Sequence, residues 1–197
     1  MVQCQYCSVH LPKPEAIAKE DRFYCSQKHL NALDEKGWLG GAHWRPSPNQ
    51  DARPEGMAPD LMVIHHISLP PGGFADRNST SFIVDFFQNR LDSSLHPYFE
   101  EIAAGLSSFL GREKCNDFSI GVELEGDGER PFEEIQYQAL AGLTAQIQDA
   151  YPNLLFAGHS DIAPNRKTDP GAQFNWEKFQ SRASISSEKF PFGLRSR

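Results

Sequence analysis

The order of apolar and polar positions along the chain predicts strands that alternate with helices. Residues 61–67 form a short apolar run that ends at a Pro-Pro-Gly-Gly turn, a pattern typical of a buried strand. From residue 118 to residue 125 apolar and polar residues alternate. Such a strand directs alternate side chains to opposite faces, so Glu123 shares the polar face with Gly121.

Four segments space their apolar residues as helices do, and they are residues 79–91, 96–104, 131–150 and 174–183. The third has the longest predicted buried stripe, made of Phe132, Ile135, Ala139, Leu143 and Ile147. A short apolar stretch at 154–157 adds another strand. These elements predict an α/β fold with a mixed central sheet flanked by helices.

The chain divides by composition into three parts. Residues 1–36 carry three of the four cysteines and form a predicted separate module. Residues 37–184 form the predicted main domain, which begins with extended, Gly- and Pro-rich chain up to residue 60. We expect residues 185–197 to be a polar tail.

Charge and hydropathy narrow the range of partners. The formal net charge of −7 argues against a nucleic-acid binder or a membrane-surface binder, because both usually present a basic face. No apolar run is long enough to span a bilayer, and the N-terminus lacks the features of a secretory signal. We therefore expect a cytoplasmic protein, in which clustered cysteines indicate metal binding rather than a disulfide.

The N-terminal cysteines have the spacing of a metal site. Cys4 and Cys7 form a Cys-x2-Cys pair, and Cys25 and His29 form a Cys-x3-His pair. Three thiolates and one imidazole make the closed tetrahedral set of a structural zinc site, so the module is similar to a small zinc ribbon. His10 is an alternative to His29 as the fourth ligand. The module's partner is left open: nucleic acid, protein, or none if it is a structural cap.

A second group of candidate ligands lies near the C-terminal end of the chain. His159 and Asp169 stand on one Pro-containing loop and could ligate a single metal ion, with Lys167 beside them. Either His65 or His66 could complete the site, since adjacent strand residues point to opposite faces and the sequence does not choose between them. Glu123 is an acidic residue in the middle of a strand, which is costly to bury without a function.

Several motifs together resemble one enzyme family, the cytoplasmic 1,6-anhydro-N-acetylmuramyl-L-alanine amidases of the AmpD type. Residues 63–72, 115–126 and 158–171 are similar to its first metal-binding strand, its central strand and its second metal-binding segment. Residues 37–39 and 45–49 are similar to the start of its domain. The resemblance covers residues 37–180 and implies the fold of zinc amidases and peptidoglycan-recognition proteins.

The resemblance also implies residue roles. Three residues would hold the catalytic zinc: His65, His159 and Asp169. Two would act on the amide, Glu123 as general base and Lys167 as a donor to the developing oxyanion. Arg166 and Lys114 would bind substrate carboxylates. The reaction implied is hydrolysis of the lactyl amide between anhydro-N-acetylmuramic acid and L-alanine of an anhydro-muropeptide, in peptidoglycan recycling.

One segment departs from the family pattern. After Ala104, family members carry two further strands and a tryptophan wall of the substrate cleft, and this chain lacks them. We expect exposed strand edges there and impaired turnover. Two alternative functions follow: a muropeptide-binding or regulatory protein without catalysis, or an adaptor whose N-terminal module binds nucleic acid or protein.

Overall fold

A computed structural model describes residues 1–34, 37–72, 79–97 and 107–194. Its strands are β1 (Val2–Gln3), β2 (His10–Leu11), β3 (Ile17–Lys19), β4 (Arg22–Tyr24), β5 (Leu61–Ile67), β6 (Ser108–Phe109), β7 (Arg112–Glu113), β8 (Ser119–Glu125) and β9 (Leu155–Gly158). Its α-helices are α1 (Gln27–Asn31), α2 (Ser79–Phe87), α3 (Glu134–Ala150), α4 (His159–Ile162) and α5 (Trp176–Ala183). Short 3-10 turns occur at Lys13–Glu15, Ser93–Leu95, Cys115–Asp117 and Ser187–Lys189.

The chain separates into two compact units. The first comprises residues 1–44 together with 145–150, and the second comprises 45–144 together with 151–197. In the first unit, β1 pairs with β2 and β3 pairs with β4, both antiparallel, and α1 follows the second hairpin. Its small core contains Cys4, Tyr24 and Leu30.

The second unit is built on a three-stranded sheet in the order β8-β5-β9. Both pairings of the central strand β5 are parallel. The prediction of an α/β fold is therefore confirmed, but the described part of this sheet is parallel rather than mixed. Alternation of apolar residues identifies strands without giving their direction, which is why the sequence did not specify it.

Core residues cover both faces of β5, whose Leu61, Met62, Val63 and Ile64 are all buried. On one face, Leu61 and Val63 pack with Phe109, Phe118 and Ala157. Because side chains alternate along a strand, His65 continues the same face beyond Val63. The packing of the first half of the strand thus determines the direction of the histidine at its end.

Two predicted helices need correction. Helix α3 begins at Glu134, and its buried residues include Tyr137, Leu140 and Thr144, whereas Ile135 from the predicted stripe is 62% exposed. The buried face is therefore rotated relative to the predicted stripe, of which Ile147 is buried and Ala139 is exposed. Helix α2 ends at Phe87, since Asn89 adopts a left-handed conformation with φ 55°, and most of the predicted helix at 96–104 lies outside the described residues.

The segment after α5 belongs to the domain rather than to a polar tail. Ile185 and Phe190 are 6% and 4% exposed. The ring of Phe190 stacks on Phe156, with centroids 5.2 Å apart, and also contacts Trp176 and Phe179. The apolar residues of this stretch are scattered among polar ones with no helix or strand period, so the sequence did not indicate this packing. Within the described ranges, no helix has the length and apolar character needed to cross a membrane.

We predict that Phe190→Ala lowers the free energy of unfolding by about 3–5 kcal/mol, the usual effect of removing a buried aromatic ring. Denaturant unfolding of the purified protein measures it. Leu95→Ala is the control, because Leu95 is 59% exposed and its truncation should change stability by no more than about 0.5 kcal/mol. Equal stabilities of the two variants would contradict the packing of the C-terminal segment.

Candidate active site

The central strand selects His65 over His66. His65 lies opposite Glu123 in the parallel pairing of β5 with β8, and Ile64 lies opposite Gly158 at the end of β9. The next residue after Gly158 is His159, so both histidines lie near the carboxyl ends of neighbouring strands. In open parallel sheets this edge is the common place for a binding site.

The loop after β9 is folded back on itself and carries two of the candidate ligands. His159 opens the short helix α4, and the N–H of Ser160 donates to the carbonyl of Asp169 over 2.8 Å. The carboxylate of Asp161 accepts a hydrogen bond from the N–H of Gly158 over 2.9 Å. These bonds tie the end of the loop to its beginning, and Asp169 is thereby brought beside His159.

Three ligand atoms converge at this point. The Nδ1 atoms of His65 and His159 lie 3.0 Å apart, and each lies 3.0 Å from Oδ2 of Asp169. A neutral imidazole Nδ1 donates or accepts a single proton, so three equal contacts of this kind suit a shared cation better than mutual hydrogen bonds. Two imidazoles and one carboxylate are the donor set of a catalytic zinc site with an open fourth position.

The electrostatics of Asp169 agree with a cation-binding role. Burial raises the pKa of this carboxyl, but the hydrogen bonds and positive charge of His159 and His65 outweigh it and hold the pKa well below its ordinary range. Asp169 is therefore ionised at neutral pH and available as an anionic ligand. The group of His65, His159 and Asp169 fits a zinc site.

Glu123 lies at the edge of this group. Its Oε1 atom is 4.0 Å from Nδ1 of His65, too far for a hydrogen bond but close enough for a strong charge interaction. Its side chain is 34% exposed, so water reaches it. Burial raises its pKa and so does the charge of Asp169, while His65 and Lys167 lower it, and the net pKa is above the ordinary value for glutamate.

Three further residues were predicted to belong to the site, and they are Lys167, Arg166 and Lys114. Lys167 is half-buried, and its backbone N–H donates to the carbonyl of Ala163 over 3.0 Å. Arg166 next to it is exposed. Lys114 is exposed after the β6–β7 hairpin, in a left-handed conformation with φ 57°. Neither Arg166 nor Lys114 belongs to the ligand group.

Two glycines contribute to the site in a way that the sequence did not indicate. A Cβ atom at Gly121 would lie 3.4 Å from Nε2 of His65, and a Cβ atom at Gly158 would lie 2.7 Å from Cδ of Pro170. The first glycine leaves room for the imidazole, and the second lets the proline after Asp169 approach the end of β9. A lone glycine in a strand pattern is the signal that could have identified both.

His66 points to the opposite face, where its Nδ1 atom is buried without a hydrogen-bond partner among the described residues. It lies against Gly128, where a Cβ atom would be 2.9 Å from Cε1 of the ring. His66 is thus a packed histidine, separate from the ligand group.

The first unit brings together the N-terminal candidate ligands, whose atoms all lie within 4.8 Å of one another: Cys4, Cys7, Cys25 and His29. The sulphurs of Cys7 and Cys25 are 3.7 Å apart, and the sulphur of Cys4 is 3.8 Å from Nδ1 of His29. Sulphur ligands of a tetrahedral zinc ion are separated by about 3.8 Å, as their bond length of about 2.3 Å requires. His10, the alternative ligand, lies on β2 outside this group.

The thiol of Cys4 has a lowered pKa and ionises more readily than an ordinary cysteine. Burial raises its pKa, but hydrogen bonds from the backbone N–H groups of Cys7, Cys25 and Tyr6, and from His29, together have the larger and opposite effect. The pKa of Cys4 is therefore lowered to about 6. The thiolate is the form that binds metal. All four cysteines of the chain are free of disulfide bonds.

Comparisons with known proteins agree with this geometry. A family model described as N-acetylmuramoyl-L-alanine amidase matches residues 55–172. The chain is 41% identical over 187 residues to the 1,6-anhydro-N-acetylmuramyl-L-alanine amidase AmpD of Enterobacter cloacae, a match that covers 80% of this chain and 98% of that protein. It is 42% identical over 178 residues to AmpD of Haemophilus influenzae, covering 75% of this chain and 95% of the relative.

Solved structures give the same result. The chain matches the crystal structure of a selenomethionine derivative of AmpD with a TM-score of 0.71 and 38% identity, over 78% of this chain and 99% of that one. It matches the solution structure of Citrobacter freundii AmpD with a TM-score of 0.51 and 40% identity, over 77% and 95% of the two chains. The chain therefore belongs to the N-acetylmuramoyl-L-alanine amidase family, as its motifs predicted.

Proposed function

We propose that this chain is a zinc-dependent amidase of peptidoglycan recycling. Its substrate is an anhydro-muropeptide, and it cleaves the lactyl amide between 1,6-anhydro-N-acetylmuramic acid and L-alanine. The observation that carries the proposal is the convergence of His65, His159 and Asp169 at 3.0 Å beside Glu123. The relatives at about 40% identity are named for the same reaction, and they support the choice of substrate.

The chain's own residues have distinct roles in this proposal. Zinc held by His65, His159 and Asp169 would supply a Lewis acid for the amide carbonyl and would lower the pKa of the attacking water. Glu123 accepts the proton of the attacking water and then returns it to the nitrogen of the leaving alanine. Lys167 stabilises the negative charge that develops on the carbonyl oxygen. Its influence on the pKa of Glu123 supports a location near the reacting atoms.

Arg166 and Lys114 complete the proposed site as cations for the carboxylates of the peptide. Both are exposed, as residues that meet a solvated peptide must be. A lysine binds a carboxylate as a point charge, so we expect Lys114 to contribute less directional binding than an arginine would.

The N-terminal cluster is proposed to hold a second, structural zinc. Four protein ligands close the coordination shell and leave no position for substrate. The module of residues 1–36 is then a zinc ribbon that precedes the amidase domain. We propose a cytoplasmic location for the chain, where thiols stay reduced and can bind zinc.

A catalytically impaired muropeptide-binding protein is the second candidate, and the lengths of the aligned segments support it. The match to the Enterobacter cloacae relative spans 187 positions but takes in 80% of this chain, about 158 of its 197 residues. About 29 positions of the relative are therefore unmatched. Tight muropeptide binding without cleavage at any zinc concentration would favour this candidate. The junction predicted after Ala104 lies among residues outside the described ranges.

We expect Glu123→Gln to lower kcat by at least about a hundredfold, the usual contribution of a general base, and to leave zinc content unchanged. Release of peptide from anhydro-muropeptide, followed by chromatography, measures the rate. Glu125→Gln is the matched control on the same face of β8 and should retain activity. Cleavage by Glu123→Gln at the parent rate would disprove the proposed base.

Lys167→Met should move the acid limb of the kcat/KM profile to higher pH. Glu123 works in its ionised form, so activity falls as the pH drops through its pKa, and removal of the lysine raises that pKa. Bound zinc changes the pKa of Glu123 equally in the parent and in the variant, so it does not alter the shift between the two pH profiles. A pH profile with an unchanged acid limb would show that Lys167 does not act on Glu123.

Zinc analysis of the purified chain should give two ions per molecule. Asp169→Ala should bind one, because the second unit loses an anionic ligand, and Cys4→Ser should also bind one, because the first unit loses a thiolate. The double variant should bind none. A parent protein with one zinc that Asp169→Ala does not remove would refute zinc binding at the amidase site.

A further inference from the structure

The first unit also contains a concave surface that none of the candidate metal ligands lines. It is a cavity of about 260 Å³, near the lower end of the size range of small-molecule sites. Its lining residues are Arg22, Trp38, Leu39, Ala42, His43 and Trp44. Trp38 and Trp44 are 38% and 45% exposed, a large apolar area to leave in water without a ligand or partner. We call it the tryptophan pocket.

Backbone contacts hold the tryptophan pocket in shape. The N–H of Asp34 donates to the carbonyl of Trp38 over 2.9 Å, and the N–H of Trp38 donates to the Asp34 carboxylate over 2.9 Å. Leu33 and Leu39 form an isolated antiparallel bridge. A Cβ atom at Gly40 would lie 2.6 Å from the carbonyl oxygen of Leu30, so the segment packs directly on helix α1. The pocket therefore exists before any ligand arrives.

The walls and rim of the pocket differ in chemistry. The two indole rings meet at 65° with centroids 3.8 Å apart, so they form an angled aromatic wall. At the rim, Nδ1 of His43 lies 3.3 Å from Glu20, and Arg22 lies 3.8 Å from the same carboxylate. These charges partly cancel, which favours a ligand rich in hydroxyl and amide groups over a strongly charged one.

We propose that the tryptophan pocket binds an N-acetylated amino sugar. One face of a sugar ring presents polarised C–H groups, which suit the negative face of an indole. The acetamido methyl group fits Leu39 and Ala42, while Arg22, His43 and Glu20 offer donors and an acceptor to the hydroxyls. The choice of sugar rests on the proposed function, whose substrate carries N-acetylmuramic acid.

Titration of the zinc-loaded, ¹⁵N-labelled chain with N-acetylglucosamine, an uncharged N-acetylated amino sugar, tests this. The chain has three tryptophans, so three indole N–H signals report separately. The signals of Trp38 and Trp44 should move in a saturable way. Trp176 is 6% exposed and lies 3.4 Å from the Cβ position of Gly158, so it reports binding at the amidase site instead.

Matched variants sharpen the test. Trp44→Ala should weaken binding about tenfold or more, whereas Trp44→Phe, which keeps an aromatic face, should retain most of the affinity. His43→Ala should weaken binding without a change in folding, since the side chain of His43 is 67% exposed. Glucose, which lacks the acetamido group, should bind more weakly than N-acetylglucosamine.

Several results would overturn the proposal: no movement of the Trp38 and Trp44 signals, movement of Trp176 alone, or unchanged affinity in both Trp44→Ala and His43→Ala. Peptide release from anhydro-muropeptide is measured separately on the same samples. Cleavage without indole shifts would refute the sugar site alone. Indole shifts without cleavage would refute the amidase activity and leave the sugar site in place.

Discussion

The register of the central strand is the constraint on which the candidate active site depends. β5 pairs in parallel with β8 on one side and β9 on the other, so His65 is aligned with Glu123, and β9 ends at Gly158 opposite Ile64. A slip of one residue would turn His65 to the opposite face and bring His66 to the site. Both faces of β5 are buried, so the fit of Leu61 and Val63 into one part of the core, and of Met62 against Thr144 in the other, opposes that slip and positions a candidate metal ligand.

The two groups of metal ligands are assembled from the chain in different ways. The N-terminal set is local, because two short motifs on neighbouring hairpins and a short helix supply four ligands that close around one ion. The amidase set is non-local, because His65 and Asp169 lie far apart in sequence and meet only through the sheet and the loop after β9. The local set leaves no open position, whereas the non-local set has three ligands and can accept substrate.

Much of the site could be predicted from the sequence, because its ligands stand in short motifs with characteristic spacing. Periodicity alone could not choose between His65 and His66, since it gives two faces without saying which one carries the site, and the choice of His65 came from the family resemblance. The buried face of α3 is selected by what the helix packs against, which left Ile135 exposed rather than buried. The burial of Phe190 depends on distant aromatic rings that no local pattern reveals.

Anomalous diffraction at the zinc edge, from crystals of the purified chain, shows directly where zinc binds. We predict a peak within bonding distance of Nδ1 of His65, Nδ1 of His159 and Oδ2 of Asp169, with Glu123 beside its open side. A second peak is expected among the N-terminal cysteines. A peak at the cysteines with none between the two histidines, in crystals grown with excess zinc, would contradict it.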